Sequence, residues 1–226
     1  MMLIVTVVAA ALFTPTASAA GAAAPASAAI PPITINVSTT ADVSPSLVAR
    51  LLAETDAVWR SSGVTFVWQR AARVVVPYAR ASETGPYVPR TLRLTIGDNR
   101  GPALEGRLPL GWIIFDDVAA PEQEIYLSHA NAQQLATAVR DSGGGVDQMP
   151  ISQRETLLAR AMGRALAHEL GHYLLASKAH TQEGLMKAHL TAAELFSPDT
   201  NRLRIEPAQR RTIAARLRGD TMVASS

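Results

Sequence analysis

The stretch HELGHYLLASKAHTQEGLM, His168 to Met186, carries the strongest structural signal in this 226-residue chain. Its first five residues place His168 and His172 four positions apart. On a helix this spacing is about one turn, so both imidazoles lie on the same face. Two imidazoles arranged in this way reach a single ion at zinc–nitrogen distance. The spacing therefore predicts a metal site on a helix.

Glu169 follows the first of these histidines directly and is rotated from it by about 100° around the helix axis. From that position its carboxylate does not easily bind the same ion, but it reaches a water molecule held by that ion. Zinc lowers the pKa of such a water, and a neighbouring carboxylate accepts the proton. The five residues therefore predict zinc as the metal and Glu169 as a general base.

The helix that carries these residues is predicted to begin at Ser152, with Glu155 three residues later completing a capping box. Apolar residues recur along it at spacings of three and four, which gives it two apolar sides. A helix of this kind packs centrally against a sheet, so its histidines are predicted to be sheltered. The two rows are Leu158, Ala161, Ala165, His168, His172 and Leu175, and Met162, Leu166, Leu170 and Leu174.

The rest of the chain alternates between strand and helix signals. Period-two alternation predicts strands in ITINVSTT and RTLRLTIGD, and VTFVWQ, LGWIIFDDV, QEIYLS and a short RVVVPY are further predicted strands. Helices are predicted to open at Pro45, capped by Ser44, and then after Ser128, at Thr191 and at Pro207. This order predicts an α+β fold, close to α/β, in which a mixed twisted sheet packs on the central helix and the C-terminal part is helical.

The N-terminal residues predict export. Residues 3–13 are an apolar run too short to span a bilayer, and an Ala-Ser-Ala cleavage site follows, so residues 1–19 are predicted to be a signal peptide. Residues 20–32 are rich in Ala and Pro and are predicted to be a flexible leader, which leaves 33–226 as one domain. We therefore expect a secreted or periplasmic protein without stable membrane insertion.

Composition narrows the possible ligands and partners. The chain contains no cysteine, so a metal site must use His, Asp, Glu or water. A formal net charge of +2 gives no reason to expect nucleic acid as a partner.

Through these residues, the stretch resembles the active site of metzincin zinc metalloproteases, and within that family it is most similar to the matrixin group. That family carries His-Glu-x-x-His-x-x-Gly-x-x-His, followed by a turn whose Met lies beneath the metal. His168 to His172 match the first five positions, and EGLM is similar to the Met-turn, with Met186 as its Met. The resemblance implies a metzincin-like fold and a secreted zinc-dependent endopeptidase. We expect a monomer that acts on protein or peptide substrates.

The resemblance departs from the family pattern at two positions. Leu175 stands where the family has the Gly that ends the helix, and Lys178 stands where it has the third His. Lys is a poor ligand because its ammonium group has no free lone pair. The next histidine is His180, two residues later, and a turn longer by two residues brings it to the metal. His168, His172 and His180 are therefore the predicted zinc ligands.

Several alternatives stay open. Glu194, in the helical segment TAAELF, is the main rival third ligand, because gluzincins take a Glu from a later helix; Glu183 and His189 are weaker rivals. The strand that pairs with extended substrate in metzincins corresponds to LGWIIF or EIYLS, and the motif does not say which. An exported zinc-binding protein without peptidase activity is the alternative function.

Overall fold

The computed structural model describes residues 30–40, 42–70, 91–102, 109–116, 120–138 and 149–218. The predicted signal peptide, most of the predicted leader and the short strand predicted in RVVVPY lie outside these residues and stay predictions. Within the described part, no helix combines the length and the apolar character needed to cross a bilayer.

The described strands and helices follow the predicted order. The strands are β1 (Ile33–Thr39), β2 (Phe66–Arg70), β3 (Thr91–Gly97), β4 (Gly111–Phe115) and β5 (Pro121–Ser128). The helices are α1 (Pro45–Trp59), α2 (His129–Ala138), α3 (Ile151–Leu175), α4 (Ala192–Phe196) and α5 (Pro207–Arg218). A 3₁₀ turn, Arg60–Ser62, extends α1.

The five strands form one mixed sheet in the order β2-β1-β3-β5-β4, so the predicted fold class is confirmed. β1 pairs in parallel with β2 and β3, and β3 pairs in parallel with β5. β4 runs antiparallel to β5 and forms one edge of this sheet. Because successive side chains of a strand point to opposite faces, the strands place Ile35, Leu94 and Ile125 in the core, where all three are fully buried.

The start of α3 differs from the prediction. The helix begins at Ile151 after Pro150, and none of the described side chains caps this end. Glu155 instead accepts hydrogen bonds from the hydroxyls of Ser44 (2.6 Å) and Ser46 (2.8 Å) at the start of α1. The predicted Ser152–Glu155 capping box is wrong, because a contact with a distant segment takes the carboxylate.

α1 fixes the position of α3 through close packing and two hydrogen bonds. The Thr55 hydroxyl donates to the carbonyl of Gly163 (3.0 Å), and the Trp59 indole donates to the carbonyl of Ala167 (3.2 Å). A Cβ atom at Gly163 would lie 2.6 Å from the backbone oxygen of Leu51, so glycine is needed for this approach. The half of α3 that carries the His-Glu-x-x-His motif is thereby held on the core.

The exit from α3 is built without glycine. Ala176 adopts a left-handed conformation with φ of 45°, and the Ser177 N–H donates to the carbonyl of His172 (3.2 Å). This backbone bond closes the helix end in the manner usual for a glycine at the same position. The chain then turns back, which carries residues 177–187 along the end of the helix.

Candidate metal centre

The side chains of His168, His172 and His180 converge at the C-terminal end of α3. Their ligand nitrogens all lie within 4.8 Å of one another. The ring centroids are 4.6 Å apart for His168 and His172, 4.9 Å for His172 and His180, and 5.4 Å for His168 and His180. His172 is buried and His180 is exposed, so the cluster opens to solvent on the His180 side.

Backbone carbonyls orient two of the rings. His168 Nδ1 lies 2.8 Å from the oxygen of Leu185, and His172 Nδ1 lies 2.7 Å from the oxygen of Ser177. Because a carbonyl oxygen only accepts hydrogen bonds, each Nδ1 carries the proton. Each Nε2 then presents a lone pair, which is the arrangement in which histidine binds a metal.

The two lone pairs face each other and fit a cation. The Nε2 atoms of His168 and His172 are 3.0 Å apart. Burial lowers the pKa of His168 to about 4 and also lowers the pKa of His172, which keeps both rings neutral at pH 7. Tetrahedral zinc at about 2.0–2.1 Å from its nitrogen ligands separates two of them by about 3.3 Å. His168 and His172 therefore fit a zinc ion in spacing, in proton placement and in charge, and a nitrogen of His180 lies within reach of the same ion.

Glu169 lies beside the cluster, under β4. The Ile113 backbone N–H donates to its carboxylate, and a Cβ atom at Gly111 would lie 3.1 Å from its Cγ. Burial raises the pKa of Glu169 to about 8, and the bond from Ile113 opposes that rise. A neighbouring cation lowers the pKa of a carboxyl group. Glu169 is therefore a group that can exchange protons near neutral pH.

Met186 is fully buried and packs against Gly171, inside the motif. The turn that presents it is closed by the Thr181 N–H, which donates to the Met186 carbonyl (2.9 Å), and by Gly184, with φ of 78°. The adjacent Leu185 supplies the carbonyl that orients His168. The turn that contains the Met thus also holds a ring of the cluster.

The structure does not bring Glu194 to the histidines. Its carboxylate accepts hydrogen bonds from Lys187 Nζ (2.9 Å) and from the Thr191 backbone N–H (2.7 Å), and it completes a capping box at the start of α4. These hydrogen bonds lower the pKa of Glu194 to about 2. Glu183 and His189 are exposed, and among the described residues neither belongs to the group formed by His168, His172 and His180.

β4 is the strand that borders the cluster. β5 is paired on both sides, so the alternative in which EIYLS forms the exposed edge is wrong. Phe115, at the end of β4, packs edge-on against His172 with ring centroids 6.5 Å apart, and Lys178 Nζ lies 5.2 Å from the Phe115 centroid. Phe115 has no signal in the sequence, because nothing in an apolar strand marks which side chain reaches the candidate metal centre.

Gly171→Ala is expected to lower stability and to weaken zinc binding. The added methyl group overlaps the Met186 sulfur, and overpacking of this kind costs about 1–3 kcal/mol. Displacement of Met186 also moves the Leu185 carbonyl that orients His168. Urea denaturation and zinc titration measure the two effects. The double variant Gly171→Ala/Met186→Ala serves as the control, since removal of the Met side chain restores the space and part of both losses.

Comparisons with known proteins yield distant likenesses among solved structures alone. No protein-family model matches the sequence, and no curated protein matches it. Among solved structures, the chain is similar to the archaemetzincin of Methanopyrus kandleri, with 14% sequence identity and a TM-score of 0.46, over 86% of this chain and 98% of that one. This likeness is too distant to assign a family.

Proposed function

We propose that this chain is a secreted zinc-dependent endopeptidase that hydrolyses peptide bonds in protein or peptide substrates. The observation that carries the proposal is the pair of Nε2 lone pairs held 3.0 Å apart by two backbone carbonyls, with His180 in reach. Imidazole ligands suit zinc, and an exposed side of the cluster leaves room for water and substrate.

Each side chain has a separate task in the proposed reaction. His168, His172 and His180 hold the ion. When bound, Zn²⁺ supplies a Lewis acid that polarises the scissile carbonyl and lowers the pKa of a water. Glu169 takes a proton from the attacking water and later delivers it to the leaving amine. The Ile113 N–H holds the Glu169 carboxylate in place for both transfers.

β4 is the proposed binding surface for the substrate backbone. An edge strand presents unpaired N–H and C=O groups, and an extended peptide can add to such an edge as a further strand. Three features support this choice. β4 forms an edge of the described sheet, Ile114 on it is 45% exposed, and Phe115 contacts His172 at its end. A peptide on this edge would pass close to Glu169.

Zinc affinity tests the ligand assignment. We expect His180→Ala to weaken zinc binding at the cluster by more than about 100-fold, since loss of a ligand's hydrogen-bonding partner alone costs about 10–100-fold. Competition with a chromogenic chelator measures this affinity. His189→Ala removes an exposed histidine nearby and Glu194→Gln removes the rival carboxylate; both are expected to keep the parent affinity. Loss of zinc binding in Glu194→Gln, together with normal zinc binding in His180→Ala, would make Glu194 the third zinc ligand in place of His180.

A further inference from the structure

A second group of metal-ligating side chains lies where three parallel strands end. Asp42 follows β1 after a short turn, Asp98 follows β3 directly, and His129 follows β5 as the first residue of α2. β1, β3 and β5 are consecutive and parallel in the sheet, so their carboxyl ends share one edge. In sheets of this kind, ligands bind outside the carboxyl ends of the strands.

The three side chains point at one another. One oxygen of each carboxylate and one ring nitrogen of His129 all lie within 4.8 Å. His129 Nδ1 is 3.3 Å from Asp42 Oδ2 and 3.8 Å from Asp98 Oδ1. The His129 side chain is 7% exposed, whereas those of Asp42 and Asp98 are 46% and 60% exposed. The three side chains thus form a small cluster in which the imidazole is buried and the two carboxylates face solvent.

The negative charge of this group has little compensation. Hydrogen bonds from Thr40 and from its own backbone lower the pKa of Asp42, so the carboxylate is ionised at neutral pH. Among the described residues, the carboxylates of Asp42 and Asp98 contact the His129 ring and form no ion pair with a Lys or an Arg. Arg100, on the neighbouring loop, instead hydrogen-bonds Gln134. Two carboxylates this close repel each other unless a proton or a cation lies between them.

The second ring nitrogen of His129 has a partner on α2. Its Nε2 lies 3.2 Å from the side-chain nitrogen of Gln133, one turn along the helix. In this orientation the amide nitrogen donates, so the ring proton lies on Nδ1 and faces the carboxylates. A half-turn of the Gln133 amide would bring its oxygen to Nε2, where it would accept a hydrogen bond from Nε2–H and leave the Nδ1 lone pair for a cation.

We propose that Asp42, Asp98 and His129 bind a divalent cation that joins the ends of β1, β3 and β5. One nitrogen and two carboxylate oxygens suit a borderline ion such as Zn²⁺ or Mn²⁺, whereas Ca²⁺ takes six or more oxygens. Solvent completes the coordination on the exposed side. The ion removes the repulsion between the carboxylates and stabilises the strand ends. This site shares no residue with the histidine cluster and is independent of the proposed peptidase activity.

Zinc counts in four proteins test the second site. The proteins are the parent, Asp98→Asn, His180→Ala and the double variant, each dialysed to equilibrium against Zn²⁺. Asp98 is exposed, and Asn keeps its shape while removing its charge, so folding is expected to be retained. We expect two ions per chain in the parent, one in each single variant and none in the double variant. Glu206→Gln, which removes an exposed carboxylate elsewhere, is the charge-matched control and is expected to keep both ions.

Thermal stability gives a second readout of the same site. In His180→Ala, Zn²⁺ at about 100 times its dissociation constant is expected to raise Tm by about 5–10 °C, and Asp98→Asn is expected to abolish that rise. An Asp98→Asn protein that binds as many ions as the parent overturns the second site. One ion in the parent and none in Asp98→Asn would support the second site and remove the histidine cluster as a zinc site, so the two proposals fail separately.

Discussion

Replacement of Glu169 by Gln is expected to lower kcat/KM for peptide cleavage by about 10²–10⁴-fold while the zinc affinity stays near the parent value. Gln has the same shape, and its side-chain oxygen still accepts the hydrogen bond from the Ile113 N–H. It cannot accept a proton, however, so the attacking water loses its base. Glu169 does not belong to the ligand group of the cluster, which is why metal binding is expected to persist.

Two measurements on the same protein samples decide this prediction. Cleavage of a mixed peptide library, followed by mass spectrometry, gives the activity, and chelator competition gives the zinc affinity. Glu206→Gln removes an exposed carboxylate and is expected to cleave at the parent rate. Cleavage by Glu169→Gln at the parent rate would assign the base to another group. A parent that binds zinc and cleaves no peptide would instead be a zinc-binding protein without peptidase activity.

Arg164→Ala is expected to have the largest effect on stability, about 3–5 kcal/mol. The arginine is fully buried on α3. Its Nε donates to Glu54 Oε1 (2.8 Å), and its terminal nitrogens donate to the carbonyl oxygens of Glu194 and Ser197. Truncation leaves a largely buried carboxylate and two carbonyl oxygens without their donors. Urea denaturation monitored by tryptophan fluorescence measures the change in the free energy of unfolding.

A neighbouring arginine provides the matched control. Arg160 lies one turn earlier on α3, is only half-buried, and donates to the carbonyl of Phe196 at 3.3 Å. Its replacement by Ala is expected to cost about 1 kcal/mol, as for an ordinary hydrogen bond. The double variant Arg164→Ala/Glu54→Ala is expected to recover part of the loss, because it also removes the unpaired carboxylate. If Arg164→Ala and Arg160→Ala lower the free energy of unfolding equally, the buried hydrogen bonds of Arg164 stabilise the fold no more than an ordinary hydrogen bond does.

Patterns among neighbouring residues predict the helices and strands well. They fail where a residue far along the chain determines which contact a side chain makes. The hydroxyl of Ser44 followed by Pro45 marks the start of α1, and Thr191 with Glu194 marks the start of α4, as the structure has them. Glu155 has the same local spacing to Ser152, yet it bonds to Ser44, 111 residues away. The sequence does not predict the order of the strands in the sheet for the same reason. LGWIIF and EIYLS have similar apolar patterns, and only the pairing of strands shows which of them lies at the edge.

The candidate site likewise has a part that the sequence predicts and a part that only the fold reveals. Helical periodicity is enough to place His168 and His172 side by side. The carbonyl oxygens that orient them belong to Leu185 and Ser177. Every residue has a backbone carbonyl, so the sequence does not indicate which carbonyls face the histidines. Asp42 and Asp98 also gave no signal of their own, since each is an ordinary polar residue after a strand until the parallel pairing of β1 and β3 brings the two together.

The hydrogen bonds between α1 and α3 have a consequence for how the chain folds. They join residues 108 to 110 positions apart: Thr55 with Gly163, Trp59 with Ala167, and Glu54 with Arg164. Contacts of such long range form slowly, because a large loop must close before they contribute. We therefore expect slow folding, in which the half of α3 that carries His168 and His172 docks late. Until then the chain is exposed to aggregation, and the candidate metal site forms only after the core has assembled.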